Sequence, residues 1–175
     1  SLAQRAKAIG YEYIAITDHS KSLKIARGLD ESRLKEQIKI IKEINDRIEG
    51  IRILTGIEVD ILTDGILDFE DDILKELDVV IASVHSGFKQ DQKTLTKRII
   101  NACYNPYVNI IAHPTGRILG RRDPYDVNID LVLEAAAATG TMLEINSSPD
   151  RLDLNDSMVK RAKDMGIKIA INTDA

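Results

Sequence analysis

The chain contains three histidines, and each closes an apolar, β-branched run: Y-I-A-I-T-D-H ends at His19, V-V-I-A-S-V-H at His85 and I-I-A-H at His113. An imidazole serves as metal ligand or as general acid and base, and an apolar run of this length is a strand. Other polar groups share the setting: Asp18 precedes His19, Glu58 closes G-I-E, Glu144 and Asn146 close L-E-I-N, and Asp174 closes N-T-D. Taken singly, a histidine after a strand is more often a loop residue, and Glu58 or Asp174 serves equally well in a turn or a helix cap. The joint pattern carries the information, because all three imidazoles of the chain occupy equivalent positions.

Three imidazoles with two or three carboxylates make the donor set of a multinuclear metal centre. Mixed nitrogen and oxygen donors without thiolate suit Zn, Mn or Fe, and a lone Cys103 excludes a closed thiolate zinc site. Such ions acidify a bound water and clamp the oxygens of a phosphate, so metal-assisted phosphoester hydrolysis is the first chemistry to consider. The stretch P-T-G-R-I-L-G-R-R-D-P-Y after His113 places Arg117, Arg121 and Arg122 on a Gly- and Pro-punctuated loop. Arginine binds phosphate bidentately, so this loop is a candidate substrate clamp, with Arg117 nearest the presumed ligand. The alternative is a solvated loop in which Arg122 pairs with Asp123.

Elements must bring these residues together. Strands are expected over 13–17, 51–57, 79–84, 108–112, 141–145 and 167–171, six in all. Between them, Leu34, Ile38, Ile41, Ile44 and Ile48 recur at helical spacing, and helices are predicted over 131–138 and 157–165, closed by Gly140 and Gly166, with Asn155 or Asp156 capping the latter. Alternating helices and uniformly apolar strands imply an α/β fold with a parallel sheet. In a closed parallel barrel the strand ends converge on one face, where such folds build active sites.

Length and charge narrow the class. At 175 residues the chain is the size of one domain, and 43% hydrophobic and 30% charged residues are ordinary for a globular protein. No apolar run reaches the ~20 residues that span a bilayer, and no signal peptide opens the chain, so a cytoplasmic, non-membrane protein is expected. A net charge of −4 and 4% aromatic residues without Trp argue against a general nucleic-acid coat, though not against a local basic patch. Cys103 reads as a small helix-face residue. The residues set no oligomeric state.

The motifs T-D-H-S, G-I-E-V-D, S-V-H-S, A-H-P and N-T-D-A resemble those of the PHP (polymerase and histidinol phosphatase) domain over nearly the whole chain. A-H-P-T-G-R-I-L-G-R-R-D-P-Y-D-V-N-I-D and L-E-I-N-S-S-P-D-R-L-D-L resemble more narrowly the PHP domain of bacterial and archaeal family X DNA polymerases. The resemblance implies a distorted (β/α)7 TIM-like barrel, here without its first strand, forming a single partial domain over 1–175. It implies a trinuclear Zn2+ or Mn2+ site, with Fe as the further option. The ligands and catalytic residues would be His19, Glu58, His85, His113 and Asp174, with Asp18 orienting His19. Arg117, Arg121, Arg122 and Asn146 would meet the substrate. The family's opening H-x-H and final His fall outside the 175 residues, so the fragment alone would bind metal weakly. The implied activity is 3′-5′ exonuclease or 3′-phosphatase on DNA ends reached through the parent polymerase. The alternatives are a histidinol-phosphate-type phosphatase and a degenerate structural module.

Overall fold

The computed structural model describes residues 2–174; Ser1 and Ala175 lie outside the described residues. Six strands, β1 (Tyr13–Ile16), β2 (Arg52–Asp60), β3 (Val79–Ser83), β4 (Ile110–Ile111), β5 (Met142–Asn146) and β6 (Ile169–Asn172), form one sheet in sequential order with every pair parallel. The sheet curls into a half-barrel flanked by α1 (Leu2–Ala8), α2 (Glu31–Asn45), α3 (Asp71–Leu74), α4 (Gln92–Tyr104), α5 (Ile129–Thr139) and α6 (Asp156–Asp164). The expected α/β, TIM-like partial barrel is therefore present. Its curl follows from stagger. β2 pairs with β1 through residues 52–55 and with β3 through residues 56–60, so successive strands are displaced along their axes, as barrel geometry requires.

Alternation along the strands separates two surfaces. One face, with Ile57, Val59, Val80, Ala82, Ile111 and Leu143, is buried under the helices with Leu34, Leu95, Ile99 and Leu133. The other carries Val79, Ile81, Ile110, Ala112, Met142 and Ala170, a small apolar floor inside the curl. Two residues further along these strands the same face presents Asp60, Ser83, Glu144 and Asn172, and the polar site stands on that floor.

Local signals behave as their chemistry dictates. Asp30 caps α2 by accepting from the Arg33 N–H at 2.9 Å, and Asn155 rather than Asp156 caps α6, accepting from Met158 N–H at 3.0 Å. Gly140 ends α5 in the left-handed conformation at φ 77°. Two expectations need correction. β4 is reduced to Ile110–Ile111, although Asn109 and Ala112 continue the backbone ladder to Val80 and Ala82. Uniform strand burial also fails at the two edges, where Tyr13 is 63% and Ile171 71% exposed, because β1 and β6 each have a neighbour on one side only.

Gly56 sits where β2 passes from β1 to β3, and a Cβ there would lie 2.8 Å from Thr17 Cγ2, 2.9 Å from the Val79 carbonyl oxygen and 3.0 Å from that of Ile16. Two of these atoms are backbone and cannot turn aside. Gly56→Val should lower stability by about 1–3 kcal/mol in urea denaturation, the cost of overpacking. An unchanged midpoint would show that these three strands pack less closely than described.

Candidate metal centre

Parallel order carries the strand ends to one rim, and there four side chains meet. Glu58, on β2, extends its carboxylate between imidazoles from the loops after β1, β3 and β4. Its Oε2 lies 3.5 Å from His19 Nδ1, and its Oε1 lies 3.4 Å from His85 Nε2 and 3.3 Å from His113 Nε2. The His85 ring stands edge-on to both others, with centroids 5.0 Å from His19 and 5.2 Å from His113. Burial pushes the Glu58 carboxyl up, yet the imidazoles, His113 foremost, outweigh it and hold the group at about 2. The carboxylate is therefore anionic at any physiological pH. The same contact raises His113 against the opposing effect of its burial.

The His85 ring and the backbone of His113 are held from behind. Asp60 lies two residues beyond Glu58 and so on the same strand face, and its Oδ1 is 2.5 Å from His85 Nδ1. With Asp60 accepting, Nδ1 carries the proton, which leaves Nε2, the nitrogen on the Glu58 side, as the one that would face a metal ion. Asp60 is fixed in turn by the Ser22 hydroxyl at 2.6 Å, and its own N–H donates to Ser20 Oγ at 2.9 Å. His113 has φ 28°, a conformation few non-glycine residues adopt, and it precedes Pro114. Its N–H donates to Glu144 Oε2 at 2.7 Å, while Asn172 Nδ2 donates to the other Glu144 oxygen at 2.8 Å. Strain of this kind costs about 1–3 kcal/mol and persists only where the surroundings enforce it.

The remaining candidates are placed differently from expectation. Asp18 accepts from Gln37 Nε2 at 2.5 Å, so its hydrogen bond does not go to His19, whose Nδ1 has no hydrogen-bond partner. Asp174 belongs to a neighbouring group, receiving Asn146 Nδ2 at 2.8 Å and lying 3.2 Å from Arg151 Nε. Asn146 is fully buried and holds Asp174 instead of facing outward. The arginine loop is the larger correction. Arg117 spends its guanidinium on the carbonyls of Arg151, at 2.9 Å, and Leu152. Arg122 donates to the Gly116 carbonyl at 2.8 Å and stacks on Phe88 with Cζ 4.3 Å from the ring centre, and does not pair with Asp123. Arg121 is exposed beside Asp150, 4.0 Å away. The cation beside Asp174 is Arg151, from the loop after β5, which also donates to the Arg117 carbonyl at 3.4 Å. Asp60 was not singled out in the sequence, although period-two spacing from Glu58 would have found it; no sequence signal singled out Arg151.

These residues fit a metal ion. Glu58 Oε1 and His19 Nδ1 are buried without a hydrogen bond, a costly state for polar atoms unless something else engages them. One ligand atom each from His19, Glu58 and His85 lie within 4.8 Å of one another, and the donors are nitrogen and oxygen only. Cys103 is buried on α4, its thiol pushed up to about 12 by burial, and takes no part.

Comparison with known proteins agrees with this geometry. The PHP domain family model matches residues 1–148. The chain is 51% identical to the DNA polymerase/3′-5′ exonuclease PolX of Bacillus subtilis, over 95% of its own length and 29% of that protein. It is 38% identical to a probable phosphatase of Thermoanaerobacter sp., over 99% of its length and 70% of the relative, and 37% identical to one of Caldanaerobacter subterraneus, of which it spans 67%. Less than a third of the polymerase relative is thus represented. Family model, identity and the cluster at the strand ends lead to one conclusion: the chain belongs to the PHP domain family.

Proposed function

We propose that this chain is the phosphoesterase domain of a family X DNA polymerase and hydrolyses DNA 3′ ends with the help of bound divalent metal, Zn2+ or Mn2+. One observation carries the metal dependence: a buried carboxylate oxygen, Glu58 Oε1, accepts no hydrogen bond while two imidazole Nε2 atoms stand 3.3 and 3.4 Å away. The 51% identity to the polymerase/exonuclease over 95% of the chain supports the DNA-end substrate.

The roles follow from the geometry. His19, Glu58, His85 and His113 would hold metal, with Asp174 as a further ligand. Bound ions acidify water and neutralise phosphate charge. Asp60 keeps the His85 proton on Nδ1, and Glu144 fixes the backbone of His113. Arg151 supplies the cation for a substrate phosphate: its Nε pairs with Asp174 and one terminal nitrogen makes only a long 3.4 Å bond to the Arg117 carbonyl, whereas Arg117 holds two backbone carbonyls. Arg117 serves instead as the strut that shapes the turn carrying Arg151.

A second reading, a phosphatase for small phosphomonoesters, is favoured by the larger share of the probable phosphatases that this chain spans. A structural module without catalysis is disfavoured, because nothing in packing alone calls for a buried carboxylate and imidazoles facing one another unsatisfied.

In the full-length protein, His113→Ala should lower metal-dependent hydrolysis by roughly 100-fold or more, since losing a group that merely orients a ligand already costs about 10–100-fold. Near-normal turnover would remove His113 from the ligand set. Chelation should abolish release from 3′-phosphorylated and 3′-labelled DNA, and Mn2+ should restore it; hydrolysis confined to small phosphomonoesters would select the second reading. Arg151→Ala should raise KM with metal content retained, and loss of metal in that variant would contradict its assignment to phosphate.

A further inference from the structure

We infer that Arg98, which touches none of the ligands, is a positioning residue that sets the affinity of this centre for divalent metal. The inference rests on the metal-dependent function proposed above. Arg98 projects from α4 and is only 2% exposed, among the largest fully buried side chains of the protein. Burying a guanidinium is expensive unless its donors are met, and an aliphatic residue would fill a helix–sheet gap at lower cost. Its position therefore calls for a reason other than packing.

The contacts supply one. One terminal nitrogen of Arg98 donates to the Ser86 carbonyl at 3.0 Å and to Gln90 Oε1 at 2.7 Å, and the other donates to the Ile61 carbonyl. Ile61 directly follows Asp60, and Ser86 directly follows His85. The same guanidinium thus grips the chain one residue beyond each partner of the 2.5 Å Asp60–His85 contact. Gln90 closes the arrangement by donating from Nε2 to the Thr63 carbonyl at 2.9 Å. Gly87 allows the close approach: its φ is +70°, and a Cβ there would lie 3.0 Å from the guanidinium nitrogen. Among the described residues Arg98 makes no ion pair; its two terminal nitrogens hold loops, while Nε is buried without a hydrogen-bond partner.

The planar fork matters more than the charge. Arginine presents donors at fixed separation, so two carbonyls bound to its two terminal nitrogens are held at a set distance, whereas a lysine ammonium meets them as a single point. With the fork in place, the ends of β2 and β3 are locked in the register that points Asp60 at His85 Nδ1 and His85 Nε2 at Glu58. Without it both loops gain freedom, and the donors must be ordered when metal binds.

The test is the Mn2+ dissociation constant, by calorimetry, of full-length protein carrying Arg98→Lys or Arg98→Met, with Leu133→Ala in the α5 core as a control for lost stability. The histidine ring N–H resonances of the metal-free proteins provide a second readout. Both Arg98 variants should bind Mn2+ about tenfold or more weakly and lose the His85 Nδ1–H signal, while Leu133→Ala keeps parental affinity and spectrum. Lysine should fail to rescue. Parental affinity and an intact His85 signal in the Arg98 variants, with only the melting temperature lowered, would overturn the inference. If Arg98→Met does not fold, Arg98→Lys and Gln90→Ala carry the same expectation and the same refutation. A parental protein that binds neither Mn2+ nor Zn2+ overturns the proposed function, and this inference with it.

Discussion

The Glu58 carboxylate is the group around which the rest of the site is arranged. It is 8% exposed, lies on β2 with a strand hydrogen-bonded on either side, and faces three imidazoles at 3.3–3.5 Å. A buried anion with an unengaged oxygen is tolerable only where positive or metal-binding partners converge on it, and those partners come from loops separated by as many as 94 residues, His19 to His113. Keeping them convergent is the task of the sheet.

The sheet does this by layering. On its inner face an apolar floor of Ile81, Ile110, Ala112 and Met142 gives way two residues further along to Ser83 on β3 and Glu144 on β5, beside Glu58 and Asp60 on β2. The floor closes the site from below, so polar groups above it interact in a medium that screens poorly. Stagger between strands brings Glu58 level with His19, a contact marked by the isolated parallel bridge between these residues.

Arginines around this centre divide by what they bind. Arg98 and Arg117 are engaged with backbone carbonyls and set loop shape, Arg122 lies across Phe88, and Arg151 alone among them faces an acidic group at the ligand rim. A guanidinium suits both tasks, because its planar donor array matches paired carbonyls as well as it matches a phosphate. Proximity in sequence to His113 therefore said little about which guanidinium faces Asp174.

From sequence alone the class of fold, the six strands, the helix end at Gly140, a cap at Asn155 or Asp156, and the convergence of His19, Glu58, His85 and His113 were legible. These follow from local rules: hydrophobic period, capping chemistry, and an uncommon residue recurring at one kind of position. Asp60 was legible in principle, since residues two apart on a strand share a face. What only the tertiary structure decided was pairing across long separations. That Asp18 turns to Gln37, that Asn146 holds Asp174, that Arg117 bonds the Arg151 turn and that Arg98 reaches Ile61 and Ser86 depend on the stagger of the strands and on loop paths. A long polar side chain has several partners within reach of its rotamers, and packing around it, which no local pattern encodes, selects among them.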